Sequence, residues 1–369
     1  MIKKITKLTL LSVGSVLALF LLVAISINIF RVATKNKDDF DYLKDDANKV
    51  ILFIGDGMGQ NHIANSELYL NKDLFFTTFS KWGYVNTYSK NTYWPTDSAA
   101  AATAMATGKK VYNTFVASSF GKSIKSISEI AKENGLGVGI VTTDTLAGAT
   151  PAGFSAHAFK RSNTEEIILS QLDNDIDLYL GAGLEKYSNY KRDFENRGYT
   201  FIDEVSKLNP TSSKVLGSFT HISNYTSTNE SPTLPMLTEF AIDYFETNFP
   251  DGYFLMIEGA HIDKSNHSNN IYAMMDYMSE FDTSIKLAYD KLGNNSDVAF
   301  IVTADHESGG LKLANNLDDI SNDLYTTSKH THADVYYFMY QKDSSDIINI
   351  SLNIDNTNIF DIVKSLFDI

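Results

Sequence analysis

The sequence predicts an α/β fold, a mostly parallel central sheet flanked by helices on both faces, and two observations predict it. Short apolar runs recur along the chain, several ending in Gly, as strands buried on both sides of a sheet require. Amphipathic stretches of helical period separate those runs, the pattern of parallel strands joined by crossover helices.

The first strand is "VILFIG", Val50–Gly55. A helix follows within "TDSAAAATAMATGKK", Thr96–Lys110: Thr96, Asp97 and Ser98 all suit an N-cap, the alanines propagate it, and Gly108 suits its stop. "KSISEIAKENG" from Lys125 is a second helix, "GVGIVTT" from Gly137 a strand, and "DLYLGAG" from Asp177 another. The region Asn189–Ser231 is more polar and less regular, and reads as an excursion from the core. "LPMLTEFAIDYFETNF" from Leu234 and "YAMMDYMSEFDTSIKLAYDKLG" from Tyr272 are helices on either side of the strand "GYFLMIEG" from Gly252. The strands "DVAFIVTAD" from Asp297 and "ADVYYFMYQ" from Ala333 come next, and "IFDIVKSLF" near the C-terminus is a last helix.

Composition bounds the function. With 369 residues, 43% of them hydrophobic, the chain can bury a large core, and 21% charged residues argue against global disorder. A net charge of -14 excludes nucleic acid as a stable partner, since that needs a basic face. A phosphate-like substrate must therefore be attracted by local positive charge. Cysteine is absent, which excludes disulfides and thiolate metal sites, so any metal is held by His, Asp, Glu or hydroxyl ligands.

Three segments divide the chain. Residues 1–31 carry three early lysines and the uncharged run Leu8–Phe30, long enough to span a bilayer; it reads as an uncleaved membrane anchor, with a cleaved signal as the close second. Residues 32–48 are a polar spacer, and 49–369 read as a single folded domain. Either N-terminal reading implies export to the periplasm or the outer face of the membrane.

Sites in open α/β sheets form beyond the carboxyl ends of the strands. Asp56 follows the first strand among glycines, and Glu258, His261, Asp263 and His267 follow "YFLMI". Asp305 and His306 follow "FIVT", and His330 and His332 precede the strand at Ala333. Asp263 and His267, four apart, share a helix face. Ser98 at a helix N-terminus sits where backbone N–H groups favour negative charge. In "ATPAGFSAHAFKR", Thr150 offers a hydroxyl, and Arg161, one of few arginines, offers a planar fork for two phosphate oxygens. Taken singly, each has a bland alternative: a capped packing helix for Ser98, an Asx turn for Asp56, a solvated helix start for Asp263 and His267, a turn for Asp305 and His306, a solvated loop for the later histidines, a surface arginine for Arg161. Taken together, carboxylates and histidines that follow parallel strands suit zinc, and additional oxygens suit magnesium.

The set "DGMG", "TDSAAAATAMATGKKVYN", "ATPAGFSAHAFKR", "EGAHIDKSNHSNN", "TADHESGG" and "HTHADV", in this order between about Val50 and Tyr340, resembles the metal-dependent alkaline phosphatases. The resemblance implies hydrolysis of phosphate monoesters to alcohol and inorganic phosphate, with Ser98 as the nucleophile that becomes phosphoserine, Asp97 orienting Arg161, and Arg161 clamping phosphate. It implies one zinc on Asp263, His267 and His330, and a second on Asp56, Asp305 and His306, completed by the Ser98 oxygen. It implies a magnesium on Thr150, Glu258 and a shared Asp56, with Lys264 contacting phosphate through water. Zinc would lower the hydroxyl pKa of Ser98 and stabilise the leaving oxygen. Small phosphomonoesters are the implied substrates, and a homodimer fits the family's habit.

One position departs from the family. Where many members carry a carboxylate two residues before the Thr of "ATPA", this chain has Gly148, so the magnesium site loses a ligand and a charge. Asp144 lies four residues earlier, and the sequence leaves open whether it reaches the site. On sequence alone, Gly148→Asp is expected to raise magnesium affinity. A sulfatase is disfavoured because "SAAAA" lacks the expected Pro-Arg signature; a phosphodiesterase of the same superfamily and a non-catalytic metal or phosphate binder are the alternatives.

Overall fold

Val50, Ile51, Leu52, Phe53 and Ile54 are fully buried, as a strand with neighbours on both edges and helices on both faces must be. This strand, β1 (Lys49–Gly55), lies inside a ten-stranded sheet. The computed structural model describes residues 47–223, 227–344 and 347–369, so the run Leu8–Phe30 and nearly all of the polar spacer lie outside the described residues. No helix among the described residues is long and apolar enough to cross a membrane.

The other strands are β2 (Lys81–Asn86), β3 (Gly137–Thr145), β4 (Leu178–Ala182), β5 (Thr200–Ile202), β6 (Val215–Phe219), β7 (Tyr253–Gly259), β8 (Val298–Thr303), β9 (Val335–Gln341) and β10 (Asn353–Asp355). Their order across the sheet is β10-β2-β9-β8-β1-β7-β3-β4-β6-β5. Within it β9 alone runs antiparallel to its neighbours, β8 and β2. The mostly parallel sheet is therefore as the sequence predicts. The stretch Asn189–Ser231 does more than leave the core: β5 and β6 lie in it and extend the sheet's edge. β2 was not foreseen either; its residues alternate between buried and more exposed, with Trp82 on the exposed side.

Helices α1 (Gln60–Leu70), α2 (Ser98–Thr107), α3 (Ile127–Glu133), α4 (Ala149–Ser155), α5 (Thr164–Asn174), α6 (Leu234–Asn248), α7 (His261–His267), α8 (Ile271–Leu292) and α9 (Asn358–Leu366) cover the sheet. They cover both faces. Phe254 of β7 stacks with Phe154 of α4, whereas Phe245 of α6 closes over Gly139, the β3 partner of Leu255. Adjacent strand residues point to opposite faces, so α4 and α6 lie on opposite sides.

α2 is bare for a packing reason. All ten of its residues are buried, and a Cβ at Gly153 of α4 would stand 2.7 Å from Ala102 Cβ. Two helices this close admit only small side chains where they touch. Asp97 caps α2, its carboxylate accepting from Ala100 N at 3.0 Å, and Gly108 ends it in the left-handed region at φ 65°.

Candidate active site

Strand register brings the acidic residues to one height. Ile54 of β1 pairs with Thr303 of β8 on one side and Glu258 of β7 on the other, and Glu258 also pairs with Thr142 of β3. Two residues beyond that level come Asp56 and Asp305, at the carboxyl ends of adjacent strands. α7 leaves β7 just beyond Glu258 and carries Asp263 and His267 on one face.

Two groups of ligand atoms result. In the first, His267 Nε2 lies 3.2 Å from both Asp263 Oδ2 and His330 Nε2. In the second, His306 Nε2 lies 3.2 Å from Asp305 Oδ2 and 3.5 Å from Asp56 Oδ1. Within each group the donor atoms lie within 4.8 Å of one another, the spacing a shared cation needs. The rings of His306 and His330 stack at 3.6 Å and join the groups.

The surroundings aim these atoms. His267 Nδ1 meets the Ser328 carbonyl at 2.7 Å and His330 Nδ1 the Thr96 carbonyl at 2.8 Å. A carbonyl only accepts, so each Nδ1 carries a proton and each Nε2 is the atom turned to the centre, where loss of its own proton frees a lone pair for a cation. Asp305 Oδ1 takes N–H bonds from Gly57 at 3.0 Å and His306 at 2.9 Å, leaving Oδ2 for the centre. Ser308 hydroxyl donates to Asp263 Oδ1 and lies 3.3 Å from His306 Nδ1, so it braces a ligand of each group. Sequence reasoning missed Ser308; its place two residues after His306 in "HES" was the available signal.

Electrostatically, burial and the crowding of carboxylates dominate the site. Burial, then Asp305, Asp263 and Glu258, push Asp56 well above the usual carboxylate range. Burial, then Asp144, pushes Glu258 up to about 8, and burial pushes Asp305 up to about 6. Burial also disfavours charge on Asp263, but the bond from His267 and the nearby imidazoles hold it low overall. The same bond raises His267 to about 9, while burial and then His330 press His306 well below the ordinary imidazole value. Asp56 Oδ1, Asp305 Oδ2 and Thr150 Oγ1 are buried with no hydrogen-bond partner.

Ser98 stands at the N-terminus of α2, 3% exposed, with Oγ 3.3 Å from His306 Nε2. Arg161 Nη1 reaches Asp97 Oδ2 at 3.3 Å, and its side chain is 38% exposed, open to a ligand. Asp97 does more than face Arg161. Its carboxylate accepts from Thr114 N at 3.0 and 3.1 Å and so holds Thr114 at φ 76°. The Thr114 carbonyl in turn accepts from Arg161 N at 2.8 Å, so one carboxylate fixes both ends of the arginine. Glu258, 1% exposed, accepts from the Thr142 hydroxyl, and Thr150, also 1% exposed, lies in the first turn of α4. Lys264, expected on sequence grounds to reach phosphate through water, has its ammonium on Asp144 Oδ1 at 2.5 Å. His261 and His332 join neither ligand group.

Comparison with known proteins bears on family and fold. A family model described as alkaline phosphatase matches residues 47–183 and 179–364. The chain is 33% identical to alkaline phosphatase 3 of Bacillus subtilis over 73% of its own length, and it spans 63% of that relative's length. The solved alkaline phosphatase of the Antarctic bacterium TAB5 superposes with a TM-score of 0.78 at 27% identity, covering 88% of this chain and 99% of that one. A variant of the TAB5 enzyme, described with magnesium bound in its M3 site, superposes at 0.75 and 26% identity over 88% and 98% of the two chains. The family match over most of the chain and the identity to the Bacillus subtilis relative show that the chain belongs to the alkaline phosphatase family.

Proposed function

We propose that the chain hydrolyses small phosphate monoesters to alcohol and inorganic phosphate through a phosphoserine at Ser98. The observation that carries this is the place of the Ser98 hydroxyl: buried, at a helix N-terminus, against one of two His/carboxylate groups, with Arg161 tied to the preceding residue.

The residues fit divalent cations. Two imidazoles and a carboxylate (Asp263, His267, His330) and two carboxylates and an imidazole (Asp56, Asp305, His306) are donor sets that suit zinc, the second completed by the Ser98 oxygen. Thr150, Glu258 and a shared Asp56 offer only oxygen, which suits magnesium. The partnerless buried oxygens of Asp56, Asp305 and Thr150 support the fit, since a buried polar atom without a partner is costly unless a ligand meets it. When bound, such cations supply the positive charge that lowers the serine pKa and neutralises charge developing on the phosphoryl oxygens.

The chain's own groups do the rest. Arg161 takes two non-bridging oxygens of the phosphoryl group, and Asp97 and Thr114 keep its backbone and fork in place. The first N–H groups of α2 face the same anion. Ser98 Oγ forms a bond to phosphorus as the bond to the ester oxygen breaks; Ser98 gives up its hydroxyl proton to water, and the departing oxygen takes one from water to leave as the alcohol. His306 would not carry either proton, because its Nε2 belongs to the ligand group of Asp56 and Asp305. Water then cleaves the serine ester from the opposite side and phosphate departs. Export belongs to the same proposal, carried by the run Leu8–Phe30 as anchor or signal.

The test is acid quenching during turnover, followed by mass spectrometry. Phosphate is expected on Ser98 and absent in Ser98→Ala, whose turnover falls steeply. Phosphate elsewhere, or full activity in the variant, overturns the proposal. Parallel assays on a monoester, a diester and a sulfate ester distinguish a phosphodiesterase, and absence of all turnover indicates a binding protein.

A further inference from the structure

Gly148 caps the N-terminus of α4 at φ -60°, a backbone conformation open to any residue, so conformation does not demand a glycine there. Space does. A Cβ at Gly148 would stand 2.6 Å from Asp144 Oδ2 and 2.9 Å from the Thr145 carbonyl oxygen. The Asp144 carboxylate thus already occupies the place where a side chain at 148 would begin. It is joined to the same neighbourhood through Thr142: Asp144 N donates to Thr142 Oγ1 at 2.8 Å, and that hydroxyl donates to Glu258. Two further oxygens, Asp56 Oδ1 and Thr150 Oγ1, at least nine-tenths buried, have no hydrogen-bond partner. The other oxygen of Asp144 meets the Lys264 ammonium at 2.5 Å.

We propose that Asp144, reaching from the end of β3 into the space beside Gly148, is the carboxylate of the third cation site, and that the Lys264 ammonium competes with the cation for it. The assignment rests on the reading of Thr150, Glu258 and Asp56 as that site. A carboxylate four residues earlier restores the charge that glycine removes. The ion pair with Lys264 keeps Asp144 neutralised while the site is empty, and the ammonium must yield before the cation gains both carboxylate oxygens. Two consequences follow. Magnesium binds less tightly than Asp144 and Glu258 alone would allow, and Gly148→Asp does not tighten it, contrary to the expectation from sequence, because the new side chain meets Asp144.

The test titrates zinc-loaded protein with magnesium by calorimetry, with the magnesium-dependent shift in melting temperature as a second readout. Asp144→Asn is expected to weaken magnesium by roughly tenfold to a hundredfold, Lys264→Met to tighten it severalfold, and Gly148→Asp to leave it no tighter. Zinc stoichiometry should be unchanged in all three. Glu258→Gln is the control for the site itself and should abolish magnesium binding. Asp144→Asn binding magnesium as tightly as the parent, while Glu258→Gln does not, overturns the role of Asp144 and leaves the third site standing. Glu258→Gln binding normally removes the third site, and the proposal with it. Tightening by Gly148→Asp shows the space to be free and also overturns the proposal. If Asp144→Asn does not fold, Lys264→Met decides: unchanged or weaker magnesium binding refutes the competition.

Discussion

Asp97 carries two separable burdens, and replacing it by Ala or by Asn should separate them. In Asp97→Ala, α2 loses its cap bond to Ala100 N, worth about 1 kcal/mol. The N–H of Thr114 loses both carboxylate oxygens, and leaving it unpaired costs about 1–2 kcal/mol. The ion pair to Arg161, at 38% exposure of the arginine, adds at most about 1 kcal/mol. Asp97→Ala should therefore lose about 2–3 kcal/mol of stability, from the cap and the Thr114 bond. Asp97→Asn keeps an amide oxygen for the cap and should lose less than about 1 kcal/mol. The functional loss follows a different route. Thr114, no longer held at φ 76°, is free to relax, and its carbonyl positions Arg161 N. Inhibition by inorganic phosphate should weaken about tenfold in the Ala variant, equivalent to about 1.4 kcal/mol, and less in the Asn variant. Denaturant midpoints and phosphate inhibition constants for both variants test this. Equal destabilisation by Ala and Asn, or undisturbed phosphate inhibition in Asp97→Ala, would refute the chain from Asp97 through Thr114 to Arg161.

Arg161→Ala should weaken phosphate inhibition and substrate binding together, by about tenfold to a hundredfold, since charge-assisted hydrogen bonds are worth roughly 1.5–3 kcal/mol; unaltered phosphate inhibition contradicts the clamp. Glu280, buried on α8 and accepting from Leu234 N at 3.0 Å, is pushed up to about 7 by burial. A raised carboxyl binds its proton more tightly when folded, so its contribution makes stability fall as pH rises from the unfolded value through 7, by roughly 3 kcal/mol. Glu280→Gln should therefore gain stability relative to the parent at pH 8 and not at pH 4, and a difference independent of pH in denaturant unfolding refutes this. Chelation should destabilise the fold, by about 2.7 kcal/mol if the cation had stood at a hundred times its Kd. With burial holding Asp305 at about 6 and Glu258 at about 8, the metal-free protein should lose further stability as pH rises through those values. Melting curves with and without chelator at pH 5 and pH 9 check it, and an equal loss at both is the refuting result.

The buried parallel strands and the residues that end them were legible in the sequence because burial on both faces leaves continuous apolar runs, as in "VILFI" and "AFIVT". β5 and β6 were not legible: β5 has three residues, and both lie in a stretch whose polar turns outweigh them. β2 escaped because its exposed face carries Trp82 and its buried face includes Gly83, so neither period nor hydrophobicity singles it out. In the site, Asp56, Asp305 and His306 follow from position just after strands, Asp263 and His267 from the helix that leaves β7, and His330 from the stretch that precedes β9. Thr114 was hidden because its role lies in its backbone, held in the left-handed region by another residue's carboxylate. The pairing of Lys264 with Asp144 spans 120 positions, and spacing along the chain carries no trace of it.

The position of β1 bears on how the protein is made. It is the earliest strand of the sheet, yet both its partners come late: β7 ends at Gly259 and β8 at Thr303. At about 5–20 residues per second, a ribosome needs on the order of 10–50 s to travel from the end of β1 to the end of β8. For that interval a strand that is apolar from Val50 to Ile54 has neither neighbour, and local contacts cannot shelter it. Cytosolic holding factors, or passage across a membrane as an unfolded thread, would have to guard it. Asp56 meets Asp305 and His306 only once β8 has been made, and the group of Asp263 and His267 waits longer still, for His330, so a truncated nascent chain cannot assemble both groups.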